Sequence, residues 1–279
     1  MPRLETKSKS LLVLPIDTSA PVSPILVPLL FSGELRLTIN RMTNILSSIR
    51  QELKQQADAK TKDSFQRFFK EAVTAHGVKT ATVVKIAKDY FKEVKPQGKG
   101  EILALCEELL ESDYTEEATI AFEWSYWLRD EYEPGDFIVF ERWLTRYVNN
   151  WAKCDTLCNH TIGSFVEKYP SYIANLKKWT SSENRWLRRA SAVTLIVPAK
   201  QGKFLNDIFE IADRLLRDKD DLVQKGYGWL LKEASRLHQQ EVFDYVLRNN
   251  KIMPRTALRY AIEKMPADLR QRAMGKNKS

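Results

Sequence analysis

The chain has 279 residues, 43% of them hydrophobic, enough for one sizeable core or one continuous helical stack. Its formal net charge is +8 and its pI near 9.2, a balance that suits a polyanionic partner, either nucleic acid or an anionic membrane face. Three cysteines, Cys106, Cys154 and Cys158, make no disulfide framework and read as a reducing, cytoplasmic chain.

Residues 1–41 differ from the rest. The apolar run at Leu11 to Leu14 is broken by Asp17 and by Pro15, Pro21, Pro24 and Pro28, which excludes a secretory signal, and no stretch reaches the length of a membrane span. Met42 then opens an amphipathic pattern. The expectation is that Met42 is the natural start or that residues 1–41 form a disordered extension, with residues 42–279 a single domain.

From Ile45 onward apolar residues recur at three- and four-residue spacing almost to the end. Ile45, Ile49 and Leu53 begin the series, and Phe65, Phe68, Phe69 and Val73 follow. Thr80 is expected to cap a helix carrying Val83, Ile86, Ala87 and Phe91, ahead of helices over 102–110, 118–128 and 137–148. Asp113 and Thr115 with Glu116 and Glu117 behind them read as a helix start, as do Ser181, Ser182 and Glu183 before Trp186, and Asp220 with Asp221 before Leu222. Pro170 and Pro254 stand where first helical turns would begin. Alternating strand patterns are missing, so the chain reads as all-α. Helix pairs of about 35 to 45 residues have HEAT or armadillo dimensions. A weak echo of Trp143/Trp151, Trp179/Trp186 and Trp229 agrees with that period, although periodicity alone leaves a compact bundle open.

Three segments could carry chemistry. Trp151 and Asp155 are four residues apart and share a helix face; spacing alone also allows a core Trp with a surface Asp one turn on. Arg185, Arg188 and Arg189 surround Trp186, either as a solvated basic face or as phosphate contacts. Gly226 and Gly228 sit inside an apparent helix beside Trp229, where each costs about 1 kcal/mol relative to Ala and so needs a packing or ligand reason. Cys154, Cys158 and nearby His160 have no second ligand pair elsewhere, so one-turn helix spacing accounts for them better than a metal does.

At these segments the chain resembles the AlkD-like DNA alkylation-repair family, from about Phe65 to Pro266. A W-x-x-x-D arrangement is matched by Trp151 and Asp155, and an N-x-W-x-x-R segment by Asn184, Trp186 and Arg189. A Q-K-x-x-G-W-x-L-[RK]-E segment is matched by Gln224, Lys225, Gly228, Trp229, Leu231, Lys232 and Glu233. The second Trp–Asp pair that often precedes the family's catalytic turn is replaced here by Asn150 and Ala152.

The resemblance implies a solenoid of HEAT-like repeats whose basic concave groove grips duplex DNA, and a glycosylase that removes positively charged N3- and N7-alkylpurines without flipping the base. It implies Asp155 as the catalytic carboxylate, Trp151 and Trp229 as aromatic walls beside the deoxyribose, and Arg189 as a DNA contact in the same cleft. Arg188, Lys153, Lys225 and Lys232 are candidate phosphate contacts, and Phe68 falls near an aromatic of the family that touches DNA. A cytoplasmic monomer is expected, with no cofactor, metal or membrane. The alternatives are a non-catalytic DNA-binding relative and a helical-repeat scaffold for protein partners.

Overall fold

The computed structural model describes residues 33–275. Contacts divide the chain at Asn40, and everything below concerns the unit Arg41–Ser279. The expectation for the N-terminal extension falls largely on residues 1–32, outside the described residues.

Among the described residues the structure is helical throughout, with no strand. The helices are α1 (Gly33–Gln55), α2 (Ala59–Gln66), α3 (Thr80–Val94), α4 (Lys99–Glu111), α5 (Thr115–Trp127), α6 (Asp136–Arg146), α7 (Trp151–Thr156) and α8 (Gly163–Lys168). They continue as α9 (Ile173–Trp179), α10 (Arg185–Val193), α11 (Ile196–Lys200), α12 (Leu205–Leu215), α13 (Asp221–Ala234), α14 (Gln239–Asn249), α15 (Arg255–Ala261) and α16 (Ala267–Ala273). A π-helical stretch, Leu157–Ile162, joins α7 to α8.

These elements make a solenoid of HEAT-like repeats. Helices α5, α7, α10, α13 and α15 begin 34 to 36 residues apart and pack successively against one another as one row, which we call the inner row. A second, outer row runs α4, α6, α9, α12 and α14. Cross-links of about one repeat hold the stack together: Ser125 to Thr161 at 2.7 Å, Tyr169 Oη to Tyr132 O at 2.8 Å, and Tyr245 Oη to Asp213 Oδ1 at 2.9 Å. Each inner helix thus packs on its neighbours in the row, as a one-dimensional array requires. The tryptophan echo is the same repeat seen in side chains. Trp143 and Trp179 are buried on α6 and α9, whereas Trp151 and Trp186 open α7 and α10. Each fully buried large apolar side chain contributes about 1.5–3 kcal/mol.

Short polar side chains start the inner helices. Asn150 accepts from Lys153 N at 3.0 Å, Asn184 from Trp186 N at 2.9 Å, and Asp220 from Leu222 N at 2.9 Å. Each satisfies an amide that has no partner within its own helix. Two expected starts are built differently. Helix α5 does begin at Thr115, but Asp113 takes a left-handed conformation (φ 62°) and does not cap it. Glu116 turns instead to the preceding segment and accepts from the amides of His76, Gly77 and Val78 at 2.8–3.1 Å. Helix α10 takes its cap from Asn184, not from Ser181 to Glu183, and Thr80 is the first residue of α3 with Lys79 at the cap position.

The glycines of α13 have the packing reason the sequence demanded. A Cβ on Gly228 would stand 2.7 Å from both Ala257 O and Tyr260 Cβ, so α15 lies against bare backbone there. Gly228→Ala is therefore expected to destabilise the protein by about 1–3 kcal/mol, despite its better helix propensity. Thermal denaturation checks this; a raised melting temperature would show that the close approach is not needed. At Gly226 a Cβ would meet only ordinary contacts, the nearest being Arg189 Cγ at 3.5 Å.

Candidate active site

One cleft of about 360 Å³ gathers Trp151, Asp155, Arg189 and Trp229, on α7, α10 and α13, which the sequence had marked. It is lined by Trp151 and Asp155 from α7, Arg185 and Arg189 from α10, and Asp221, Leu222, Lys225 and Trp229 from α13. Tyr260 of α15 and the segment Phe68, Lys70 and Glu71 after α2 complete it. Asp155, Arg189 and Lys225 are each the fifth residue of their helices, so the repeat itself sets them in one row.

Asp155 and Arg189 form a forked ion pair: Nε to Oδ1 at 2.8 Å and Nη2 to Oδ2 at 2.7 Å. Arg189 Nη1 continues to the Leu222 carbonyl, linking three successive inner helices. Arg189 is only 5% exposed, so its orientation is set by these partners and not by solvent. Burial pushes the Asp155 carboxyl above the ordinary carboxylate range, against the opposing pull of the Arg189 guanidinium. The guanidinium stays charged: burial, the largest single influence, lowers its pKa, but the charge and hydrogen bonds of Asp155 together with smaller neighbouring contributions raise it overall. Each Asp155 oxygen receives one Arg N–H and retains acceptor capacity for a further partner.

The indoles are held from behind. Trp151 stacks on Phe69, with ring centroids 5.2 Å apart and planes 20° apart, and its Nε1 donates to Phe68 O at 3.4 Å. Phe69 in turn packs on Phe65 at 4.9 Å. Trp229 Nε1 donates to Glu233 Oε1 at 3.2 Å, and the buried Glu233 also accepts from Arg236 Nε at 2.5 Å. Glu233 stood in the matched motif without a role; one turn beyond Trp229, it fixes the ring's orientation. Asn150 caps the helix that begins with Trp151.

The candidate phosphate contacts do not all come together. Lys225 lines the cleft but pairs with Asp221 at 2.6 Å. Lys153 is 3% exposed and reaches away to Asp113, Nζ to Oδ1 at 2.5 Å and to the carbonyl at 3.1 Å. Arg188 binds Asp218 at 2.7 Å and the carbonyls of Ser182 and Glu183. Lys232 meets Glu263 at 3.2 Å and lies 5.6 Å from the Tyr260 ring centre. Tyr260, Glu71 and Lys70 were not singled out from sequence, since nothing local marks a residue that reaches the cleft from another repeat. Cys154 and Cys158 are buried in the core behind α7, and burial raises the Cys154 thiol pKa.

A carboxylate–guanidinium pair thus lies in an aromatic-walled cleft of a helical-repeat solenoid. The model of the family described as "DNA alkylation repair enzyme" matches residues 49–265, and the chain belongs to that family. A solved structure described as a predicted DNA alkylation repair enzyme from Enterococcus faecalis is similar in fold. Its TM-score is 0.69 at 15% identity, covering 76% of this chain and 98% of that one. No curated protein matches. Among the described residues no helix is long and apolar enough to cross a membrane.

Proposed function

We propose that the protein is a DNA glycosylase that hydrolyses the N-glycosidic bond of N3- and N7-alkylated purines in duplex DNA. A purine alkylated at N3 or N7 already bears a positive charge, so it departs with the bonding electron pair as a neutral base and needs no general acid. The demand falls on the sugar, which becomes oxocarbenium-like as the C1′–N bond breaks. The Asp155 carboxylate stabilises that charge and positions a water, which adds to C1′ and passes its proton to Asp155, leaving an abasic sugar. Trp151 and Trp229 offer faces to the cationic sugar and base, worth about 0.5–2 kcal/mol each. Because the reacting centre is the sugar, the carboxylate approaches from the backbone side and the base stays in the stack.

The observation that carries this reading is the convergence of Asp155, Trp151 and Trp229 on one cleft. The test is incubation of the protein with N-methylated duplex DNA and chromatography of the free bases. Release of 7-methylguanine and 3-methyladenine is expected. Binding of duplex DNA with no base released above the spontaneous rate would favour the non-catalytic relative instead.

A further inference from the structure

The four sequence-selected phosphate candidates, Lys153, Arg188, Lys225 and Lys232, are all engaged with carboxylates of the protein itself. Arg185 and Arg189 of the cleft are likewise paired, with Asp220 and Asp155. A cation already neutralised by a carboxylate of the protein brings little net charge to a phosphate, so contact there releases few of the counterions condensed on the polyanion. The grip on a polyanion must come mainly from cations without such partners.

Such cations lie beside the cleft on the segment from α2 to the start of α3. Lys60, Lys70 and Lys79 are exposed and, among the described residues, make no side-chain hydrogen bond or ion pair. Their charges are felt by Asp58, near Lys79, and by Asp221, near Lys70, and both of those carboxylates have closer partners in Thr61 and Lys225. Lys70 lines the catalytic cleft, whereas Lys60 and Lys79 line a neighbouring hollow of about 470 Å³. Phe68 lines both and is 71% exposed, the most exposed of the large apolar side chains among the described residues. One surface therefore runs from Lys70 in the cleft, past an uncovered phenyl ring, to Lys60 and Lys79 in the hollow.

We propose that this surface is the docking site for the sugar–phosphate backbone flanking the lesion, with Lys60, Lys70 and Lys79 contacting phosphates beside Phe68, whose DNA contact the family resemblance already implies. The inference rests on the DNA reading above and assigns its electrostatic part to residues outside the family-like motifs. The test is equilibrium binding of the full chain to a labelled, unmodified duplex over a salt series. Replacing Lys60, Lys70 and Lys79 together by Gln is expected to lower the log–log salt slope by about 2–3, at about 0.9 per phosphate contact. Phe68→Ala is expected to weaken binding at every salt concentration and leave the slope unchanged. Lys178→Gln, an exposed lysine on outer helix α9, is expected to change neither. A wild-type slope in the triple variant, or an equal loss from Lys178→Gln, overturns the docking surface while leaving the glycosylase reading intact. A wild-type protein with no salt-dependent affinity for the duplex overturns both.

Discussion

Replacing Asp155 by Asn is expected to lower release of 7-methylguanine from methylated duplex DNA by about 100- to 1,000-fold, the usual scale for losing one preorganised electrostatic partner. The substitution keeps the shape of the side chain and removes its charge, so the developing cation on C1′ loses its counter-charge. It also leaves the buried Arg189 guanidinium with a neutral neighbour, and one-sided removal of a buried pair costs about 3–5 kcal/mol. The Leu222 carbonyl still accepts from Arg189, and Asn can accept one of the two N–H bonds, which places the loss at the lower end. In a domain of this size about 3 kcal/mol corresponds to roughly 6–12 °C in melting temperature. Rates should therefore be compared well below the variant's transition, with circular dichroism showing helix content retained. Duplex affinity should be unchanged or slightly higher, since a negative charge has gone. A folded Asp155→Asn protein excising at the wild-type rate would remove Asp155 from the chemistry.

Arg189→Met is expected to give the second largest effect, through a different route. It leaves the Asp155 carboxylate buried without its cation, so the influence that opposes burial disappears and the carboxyl pKa rises further above its ordinary value. The rate requires the ionised form, so the acid limb of the pH–rate profile should move to higher pH, with partial recovery of rate as the pH is raised. Stability should show the opposite trend. A carboxyl whose folded pKa exceeds its unfolded one binds more protons when folded, and the fold loses stability as pH rises between the two values. The variant should thus melt highest on the acid side, and its deficit against wild type should grow toward neutral pH to about 3–5 kcal/mol. If the two pH–rate profiles superimpose and only stability changes, Arg189 supports the fold without positioning or tuning Asp155.

The helices and their stacking were legible because a solenoid repeats its local physics. Apolar positions at three- and four-residue spacing, Asp220 before Leu222, and tryptophans one repeat apart all arise within single helices or neighbouring pairs. The placement of Asp155, Trp151 and Trp229 in one cleft followed the motifs in the same way. The partners of the cations were not legible. Lys153 lies two positions before Asp155 and looks equally available in the chain. Its ammonium is captured by Asp113, 40 residues earlier, and the left-handed turn there has no distinctive sequence. Arg188 and Arg189 are adjacent in a basic run, yet one joins Asp218 at the far end of the next connection and the other joins Asp155 across the cleft. Which neighbour a long basic side chain selects depends on the offset between stacked helices, and helical periodicity is silent about that offset. Lys70 and Glu71 were hidden for a related reason: of their segment only Phe68 was marked, by the family resemblance, and it reaches the cleft from well upstream of α7 without a motif of its own.

The most direct measurement is the pH dependence of single-turnover base release by the wild-type protein from duplex DNA carrying 7-methylguanine, followed from the acid side to neutrality. A buried, ionised Asp155 facing a cationic sugar predicts a rate that climbs through one ionisation, with its midpoint above that of an ordinary carboxylate, and then levels off. No release at any pH, or a rate that declines as the pH is raised, would contradict it.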